Sequence, residues 1–182
     1  MLLKNGQKIL IRKVRKEDAQ AIIDYCNIVG GESNYLLFGA DEFGFTLEQE
    51  EQFIEDLEDS KTSGLFIAII DGEIASLANL SNPTRKRIAH TCQLGISVRK
   101  KFWRIGIATA MLESLIEFVK ASEEIEIIGL GVRADNLAAL GLYRKMGFVE
   151  IGRYPRYFKI DDEYYDEILM NLYKISEKTT SL

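Results

Sequence analysis

A chain of 182 residues, 47% hydrophobic and 28% charged, supplies one compact core and little material for a second. Its 23 Lys and Arg against 28 Asp and Glu leave a formal charge of −5, which argues against nonspecific binding to nucleic acid or anionic membranes. Cys26 and Cys92 have neither metal-ligand spacing nor the density of a disulfide scaffold, so both are expected reduced and buried. Met1-Leu2-Leu3-Lys4-Asn5-Gly6 lacks the apolar stretch of a signal peptide, and the longest apolar run, Leu65 to Ile70, is too short to cross a bilayer. These features predict a cytoplasmic protein with no metal, membrane or nucleic-acid partner.

The pattern reads as one domain over 1–175 with a flexible polar tail at 176–182. Ile9, Ile11 and Val14 suggest an opening strand. Ala19, Ile22, Ile23, Cys26 and Val29 then form an apolar stripe at helical spacing, and Gly30-Gly31 is expected to end that helix. A loop from Glu32 to Phe45 precedes a second helix, whose start is marked by Thr46 and Gln49 at the spacing of a capping box. Strands at Leu65–Ile70 and Glu73–Leu80 flank Asp71-Gly72, a dipeptide suited to a tight hairpin turn.

A further strand is expected from about Ile88 to Val98, and an amphipathic helix from Gly106. Ile125 to Val132 alternates like a strand, and Asn136 through Met146 reads as a short helix closed by Gly147. Phe148 begins another strand, and the last hairpin turns near Asp161-Asp162. The order is β-α-α-β-β-β-α-β-α-β-β. It predicts an α/β (α+β) single domain: a mixed sheet of seven strands flanked by four helices, antiparallel first, with a parallel pair across the Gly106 helix.

The most informative stretch runs from Ile96-Ser97-Val98 through Arg99-Lys100-Lys101-Phe102 to Trp103-Arg104-Ile105-Gly106-Ile107-Ala108-Thr109. A strand ends, a basic loop follows, and a glycine opens a helix. Gly106 lets backbone approach a ligand, and the first amides of a helix are unpaired, so this turn suits a pyrophosphate. Arg99, Lys100, Lys101 and Arg104 form the densest basic stretch in an acidic chain and are expected beside the anion. The three-glycine spacing of a dinucleotide fingerprint and the Gly-Lys-Ser/Thr of a Walker loop are both missing. Alone, the turn fits an ordinary strand-to-helix junction about as well as a ligand site.

A second stretch, Asn136-x-x-Ala139-x-x-Leu142-Tyr143-x-Lys145-x-Gly147-Phe148, starts a helix with an Asn suited to the N-cap. Tyr143 follows seven residues on, about two turns, and projects from nearly the same face. Together the two stretches resemble the signatures of the GNAT superfamily of N-acetyltransferases, Gln/Arg-x-x-Gly-x-Gly/Ala followed by Asn-x-x-Ala-x-x-Leu-Tyr-x-Lys-x-Gly-Phe. The first departs from the pattern at Trp103, where Gln or Arg is usual. At the level of element order the resemblance covers nearly the whole chain.

The resemblance implies acetyl-CoA as co-substrate and a primary amine as acceptor. The amides of Arg104, Ile105, Gly106, Ile107, Ala108 and Thr109 would grip the diphosphate, and Ile96, Ser97 and Val98 would pair with the pantetheine inside a splayed strand pair. Asn136 would hydrogen-bond the pantetheine, with Ala139 and Lys145 on the same helix. Tyr143 would stand at the thioester sulfur as general acid. Some members carry a basic Glu on the fourth strand, and Ile88 to Val98 contains none. His90, Glu32, Asp41, Glu42 and a water chain are therefore the candidate bases.

The Glu32–Phe45 loop mixes acids with Tyr35, Phe38, Phe43 and Phe45, which suits a cationic amine or simple packing beneath a loop. Arg153 to Tyr157 and Tyr164 to Glu167 resemble the last hairpin of amine- and protein-acetylating members, lining either the acceptor side or the contact of a homodimer. The acceptor is left open between a small-molecule amine and a protein N-terminus. The competing class is a catalytically silent acyl-CoA-binding sensor or partner module; a nucleotide-binding regulator is a third.

Overall fold

The computed structural model describes residues 1–174, and the expected polar tail at 176–182 lies outside them. The elements follow the expected order: β1 (Leu10–Lys13), α1 (Ala19–Glu32), α2 (Leu47–Glu58), β2 (Gly64–Ile70), β3 (Glu73–Ser81), β4 (Thr91–Val98), α3 (Ile107–Lys120), β5 (Ile127–Arg133), α4 (Leu137–Lys145), β6 (Val149–Ile160) and β7 (Glu163–Tyr173). One sheet of seven strands runs β1-β2-β3-β4-β5-β7-β6. The β4–β5 pairing is parallel, across α3, and the other ladders are antiparallel.

Strand alternation sorts the core into two clusters. On one face α3 and α4 cover Ala78, Leu80, Cys92, Leu94, Ile128, Leu130, Val132, Ile168 and Met170. On the other, α1 and α2 cover Leu65, Ile67, Ile74 and Leu77 with Ile22, Tyr25, Cys26, Val29 and Ile54. α2 lies over β2 and α1 over β3, so this second layer stops short of β5, β7 and β6. Both cysteines are buried and unbridged. No helix among the described residues is long and apolar enough to cross a membrane.

Local signals decide several boundaries. Thr46 Oγ1 accepts from the Gln49 amide at 3.3 Å and Gln49 returns a bond to the Thr46 amide at 2.9 Å, closing the capping box that starts α2. Asp71 and Gly72 have φ of 50° and 83°, the left-handed pair that turns β2 into β3.

Two boundaries differ from expectation. Gly30 and Gly31 do not end α1, which continues to Glu32. A Cβ at Gly30 would collide with the Gly39 carbonyl oxygen, so the glycine admits the following loop rather than a helix stop. β4 begins at Thr91 instead of Ile88, because the chain turns twice beforehand: Ile88 N–H donates to Arg85 O and Thr91 N–H to Ile88 O, both at 3.0 Å. Asn82 Nδ2 ties this corner to the carbonyls of Ala89 and Thr91.

Candidate active site

The β4–β5 ladder consists of three residue pairs, Thr91–Ile127, Cys92–Ile128 and Gln93–Gly129. Beyond Gln93 the strands part. Among the described residues β4 runs on to Val98 paired only with β3, and β5 runs on to Arg133 paired only with β7. The expected splayed pair is therefore present, and it leaves a wedge walled by Leu94–Val98 and Leu130–Arg133. Arg99 N–H donates to Ala75 O at 3.0 Å, so the odd residues of β4 bond toward β3. By the same alternation the amides and carbonyls of Ile96 and Val98 face the wedge. The indole of Trp103 already donates to Val98 O at 2.8 Å.

Ser97 bonds away from the wedge. Its Oγ lies 3.0 Å from the Tyr25 hydroxyl on α1, and its carbonyl accepts from Ser76 Oγ at 2.6 Å. Burial pushes the Tyr25 phenol up, so it stays protonated and acts as a strut between α1 and β4.

At the wedge mouth the chain makes a short 3-10 turn over Lys100–Phe102 and enters α3. Arg104 and Gly106 both adopt left-handed backbone, φ 65° and 100°. α3 begins with no side-chain cap on Gly106, and its first bond runs from Ala110 N–H to Gly106 O at 3.1 Å. Among the described residues the amides of Ile107, Ala108 and Thr109 have no acceptor, and a Cβ placed on Gly106 would meet nothing within 4 Å. An open concavity floored by unpaired N–H groups at the positive end of a helix fits a diphosphate.

The basic stretch does not gather there as expected. Arg99 Nε pairs with Glu32 at 3.0 Å and its Nη1 with Glu73 at 3.2 Å, while Lys101 also pairs with Glu73. Two of the four cations are thus neutralised within the fold. Lys100 and Arg104 have no ion pair among the described residues.

On the other wall α4 presents both sequence candidates. Asn136 is the N-cap, its Oδ1 accepting from Ala139 N–H at 3.2 Å. Tyr143 is buried on the α3/α4 side with its ring 5.7 Å from Phe148, and its hydroxyl has no hydrogen-bond partner among the described residues. Burial pushes its pKa up to about 12, so the phenol holds its proton at neutral pH. Lys145 is exposed at the last turn of α4.

The candidate bases scatter. His90 precedes the paired end of β4, eight residues and about 26 Å of strand from Val98. Glu32 is held by Arg99 Nε and by the Lys100 amide at 2.7 Å. Glu42 accepts from the Gly39 amide at 2.7 Å and shapes its own loop. Asp41 sits exposed in that loop at φ 56°. The loop's aromatics mostly pack: Phe38, Phe43, Phe45 and Phe53 form a chain of ring contacts down onto α2.

Tyr35 instead reaches β5. Its ring stacks on the buried Arg133 guanidinium at 4.4 Å, with Tyr165 on the same guanidinium at 4.2 Å. Arg133 also forks onto Asp135 at 2.6 and 2.9 Å and donates to Asn34 O. This joint ties the α1–α2 loop to the far wall of the wedge, and no motif marks it. Glu167, opposite Arg133 on β7, ends the Tyr164 to Glu167 stretch expected at the acceptor side or a dimer contact, and no sequence signal gives it a role of its own: its carboxylate occupies the space where a Cβ of Gly131 would stand. Gly129 and Gly131 within a strand were the available signal, because strand glycines mark close approach by neighbouring atoms.

Residues 34–148, well over half of the chain, match the acetyltransferase (GNAT) family. An N-alpha-acetyltransferase of Sulfurisphaera tokodaii is 27% identical over 172 residues, covering 89% of this chain and 93% of that protein. A GNAT-family acetyltransferase structure from Streptococcus pneumoniae superposes with a TM-score of 0.89 at 30% identity, over 92% of this chain and 100% of that one. The Salmonella typhimurium protein yncA, solved with its cofactor acetyl-CoA, shares the fold with a TM-score of 0.80 at 16% identity, over 94% and 96% of the two chains. A splayed parallel pair, an uncapped α3 and these likenesses converge on one conclusion: the chain is an acyltransferase belonging to the acetyltransferase (GNAT) family.

Proposed function

We propose that this enzyme transfers the acetyl group of acetyl-CoA to a primary amine, by direct attack within a ternary complex. The observation that carries the reading is the wedge. Among the described residues its β4 edge offers unpaired N–H groups at Ile96 and Val98, and its mouth holds the unpaired N–H groups of Ile107, Ala108 and Thr109. The diphosphate of acetyl-CoA would lie on those amides, with Arg104, Ile105 and Gly106 shaping the turn. The pantetheine would run along Ile96, Ser97 and Val98 as an added strand, against Asn136, Ala139 and Lys145 of α4. Acetyl-CoA in the yncA structure and the named activity of the Sulfurisphaera relative support this, and the latter favours an N-terminal α-amine as acceptor.

Val98 N–H can polarise the thioester carbonyl from the β4 wall. Proximity supplies the largest share, roughly 7 kcal/mol or more of the barrier for an oriented pair. The amine nitrogen forms the new C–N bond, the C–S bond breaks, and Tyr143 gives its proton to the departing sulfur. A phenol pushed up to about 12 is a competent donor and keeps its proton across the physiological range. An acyl-cysteine route is disfavoured: Cys26 and Cys92 are buried, and burial pushes their thiols up to about 12 and 11.

The same reading includes a cytoplasmic location, consistent with two reduced thiols, and a homodimer. The exposed apolar and aromatic side chains of β6, Val149, Ile151, Tyr154 and Tyr157, support the latter. The test is thiol release from acetyl-CoA over a panel of peptides and small amines, with calorimetric titration of acetyl-CoA. Turnover on an α-amine and a loss of about 100-fold in kcat for Tyr143→Phe, at unchanged acetyl-CoA affinity, are expected. Binding without turnover on any amine would reassign the chain as a silent sensor.

A further inference from the structure

Acetyl transfer to an ammonium needs a group that takes a proton, a requirement that rests on the proposed amine acetylation. None of the acids or bases suggested by motif is placed for it. His90 stands beyond the paired end of β4, Glu32 and Glu42 are committed to fold contacts, and Asp41 is exposed in the α1–α2 loop. Glu50 is buried with both carboxylate oxygens unpartnered among the described residues, but it sits on α2 over β2, with α1 between it and β4.

Glu167 differs on each count. It is half-buried on β7, with no hydrogen bond or ion pair from its side chain among the described residues. Its Oε1 rests directly on the backbone of Gly131, within the Leu130–Arg133 segment that walls the wedge. Register places it on the sheet face not covered by α3 and α4, beside Leu169 and Asn171. Tyr143 lies on the other face. The two groups therefore flank the wedge from opposite sides, which is the disposition a transfer needs when one proton leaves the amine and another reaches the sulfur.

The neighbouring charges leave Glu167 free. Arg133, opposite on β5, spends its guanidinium on Asp135, Asn34 O and the rings of Tyr35 and Tyr165. On β6 the residue opposite is Tyr154, and the neighbouring Asp166 is paired with Arg153. Tyr165 turns its hydroxyl to Glu163. We propose that Glu167 is the general base, receiving at the lip of the wedge the first proton of the acceptor ammonium. The neutral amine then attacks the thioester carbonyl, the C–N bond forms and the C–S bond breaks. Tyr143 protonates the sulfur, the second amine proton restores the phenol, and Glu167 returns its proton to solvent. Burial raises the Glu167 carboxyl above its usual range, which suits a base for an amine.

The experiment is the pH profile of kcat/KM for wild type, Glu167→Gln and Glu167→Asp on a peptide amide beginning with Ala. At pH 7 the Gln variant is expected to lose about 100-fold, and the loss should shrink toward pH 9, where an α-amine of pKa about 8 is already neutral. The Asp variant keeps a carboxylate and should retain the wild-type shape of the profile at lower height. Acetyl-CoA affinity and Tm should hold in both. A loss equal at every pH would mark a structural role and overturn the proposal, as would full activity of the Gln variant at pH 7. Should the Gln variant not fold, the Asp profile decides: a changed shape overturns the assignment. Wild-type inactivity on every amine would defeat the enzyme reading itself and the base with it, whereas an active wild type with an unimpaired Gln variant defeats Glu167 alone.

Discussion

Near Thr91–Gln93, β4 and β5 share a ladder, and Cys92 and Ile128 are buried beneath α3. A few residues on, the same two strands have separated, and Gly95–Val98 are only half-buried. Sequence character changes little along either strand, but the fate of the backbone does. In the closed half each N–H and C=O is spent on a neighbour. In the open half the Ile96 and Val98 N–H groups on one edge of β4 lack a strand partner among the described residues, and only Val98 O is met, by the Trp103 indole. Splaying a sheet leaves those groups to water, and the closed half together with the two helix layers holds the strands against that cost. On the proposed function, stability and chemistry fall to successive segments of one strand pair.

That division can be broken by substitution. Ile128→Ala, in the closed half, should lose about 2–5 kcal/mol of stability in chemical denaturation while kcat per folded molecule holds. A large fall in kcat at low temperature would show the halves to be coupled. Glu50 sharpens the comparison from the carboxylate side. Burial pushes it up to about 7 from the ordinary 4.5, so across that interval the unfolded chain ionises first and stability falls as pH rises. Glu50→Gln should flatten this dependence by on the order of 3 kcal/mol between pH 4.5 and 8, read from denaturation midpoints. With Glu167 as the proposed base, rates should follow that carboxylate instead. Asn136→Ala should cost about 1 kcal/mol as a lost cap. A severalfold weaker acetyl-CoA binding beyond that is expected if the same amide also meets the pantetheine; unchanged binding would confine Asn136 to the fold.

Much of this architecture is legible in the chain because its signals are local. Thr46 and Gln49, Asp71 and Gly72, and Asn136 act within four residues, and each adopts the local geometry its spacing predicts, two helix caps and a left-handed turn. The Gly106 turn and Tyr143 are legible as a pattern, and the fold supplies the open cradle and the buried phenol. What the sequence conceals depends on distant partners. Arg99 and Lys101 read as anion ligands until Glu32 and Glu73 arrive from α1 and β3. Glu167 reads only as the end of a hairpin stretch at the acceptor side or a dimer contact, and its placement depends on β5, β7 and a missing Cβ at Gly131. Ile88 reads as strand by apolarity alone, against the turn-forming hydrogen bonds that it and its neighbours make.

The contact between Gly30 and Gly39 reaches further than one helix turn. The α1–α2 loop leans on bare peptide atoms there, and at its near end Tyr35 clasps Arg133. A segment pinned at two places behaves as a fixed jamb beside the opening, not as a swinging door. Acceptor choice in this enzyme should then respond to residue changes along the jamb more than to its motion, and even one methyl group at position 30 would shift the whole frame.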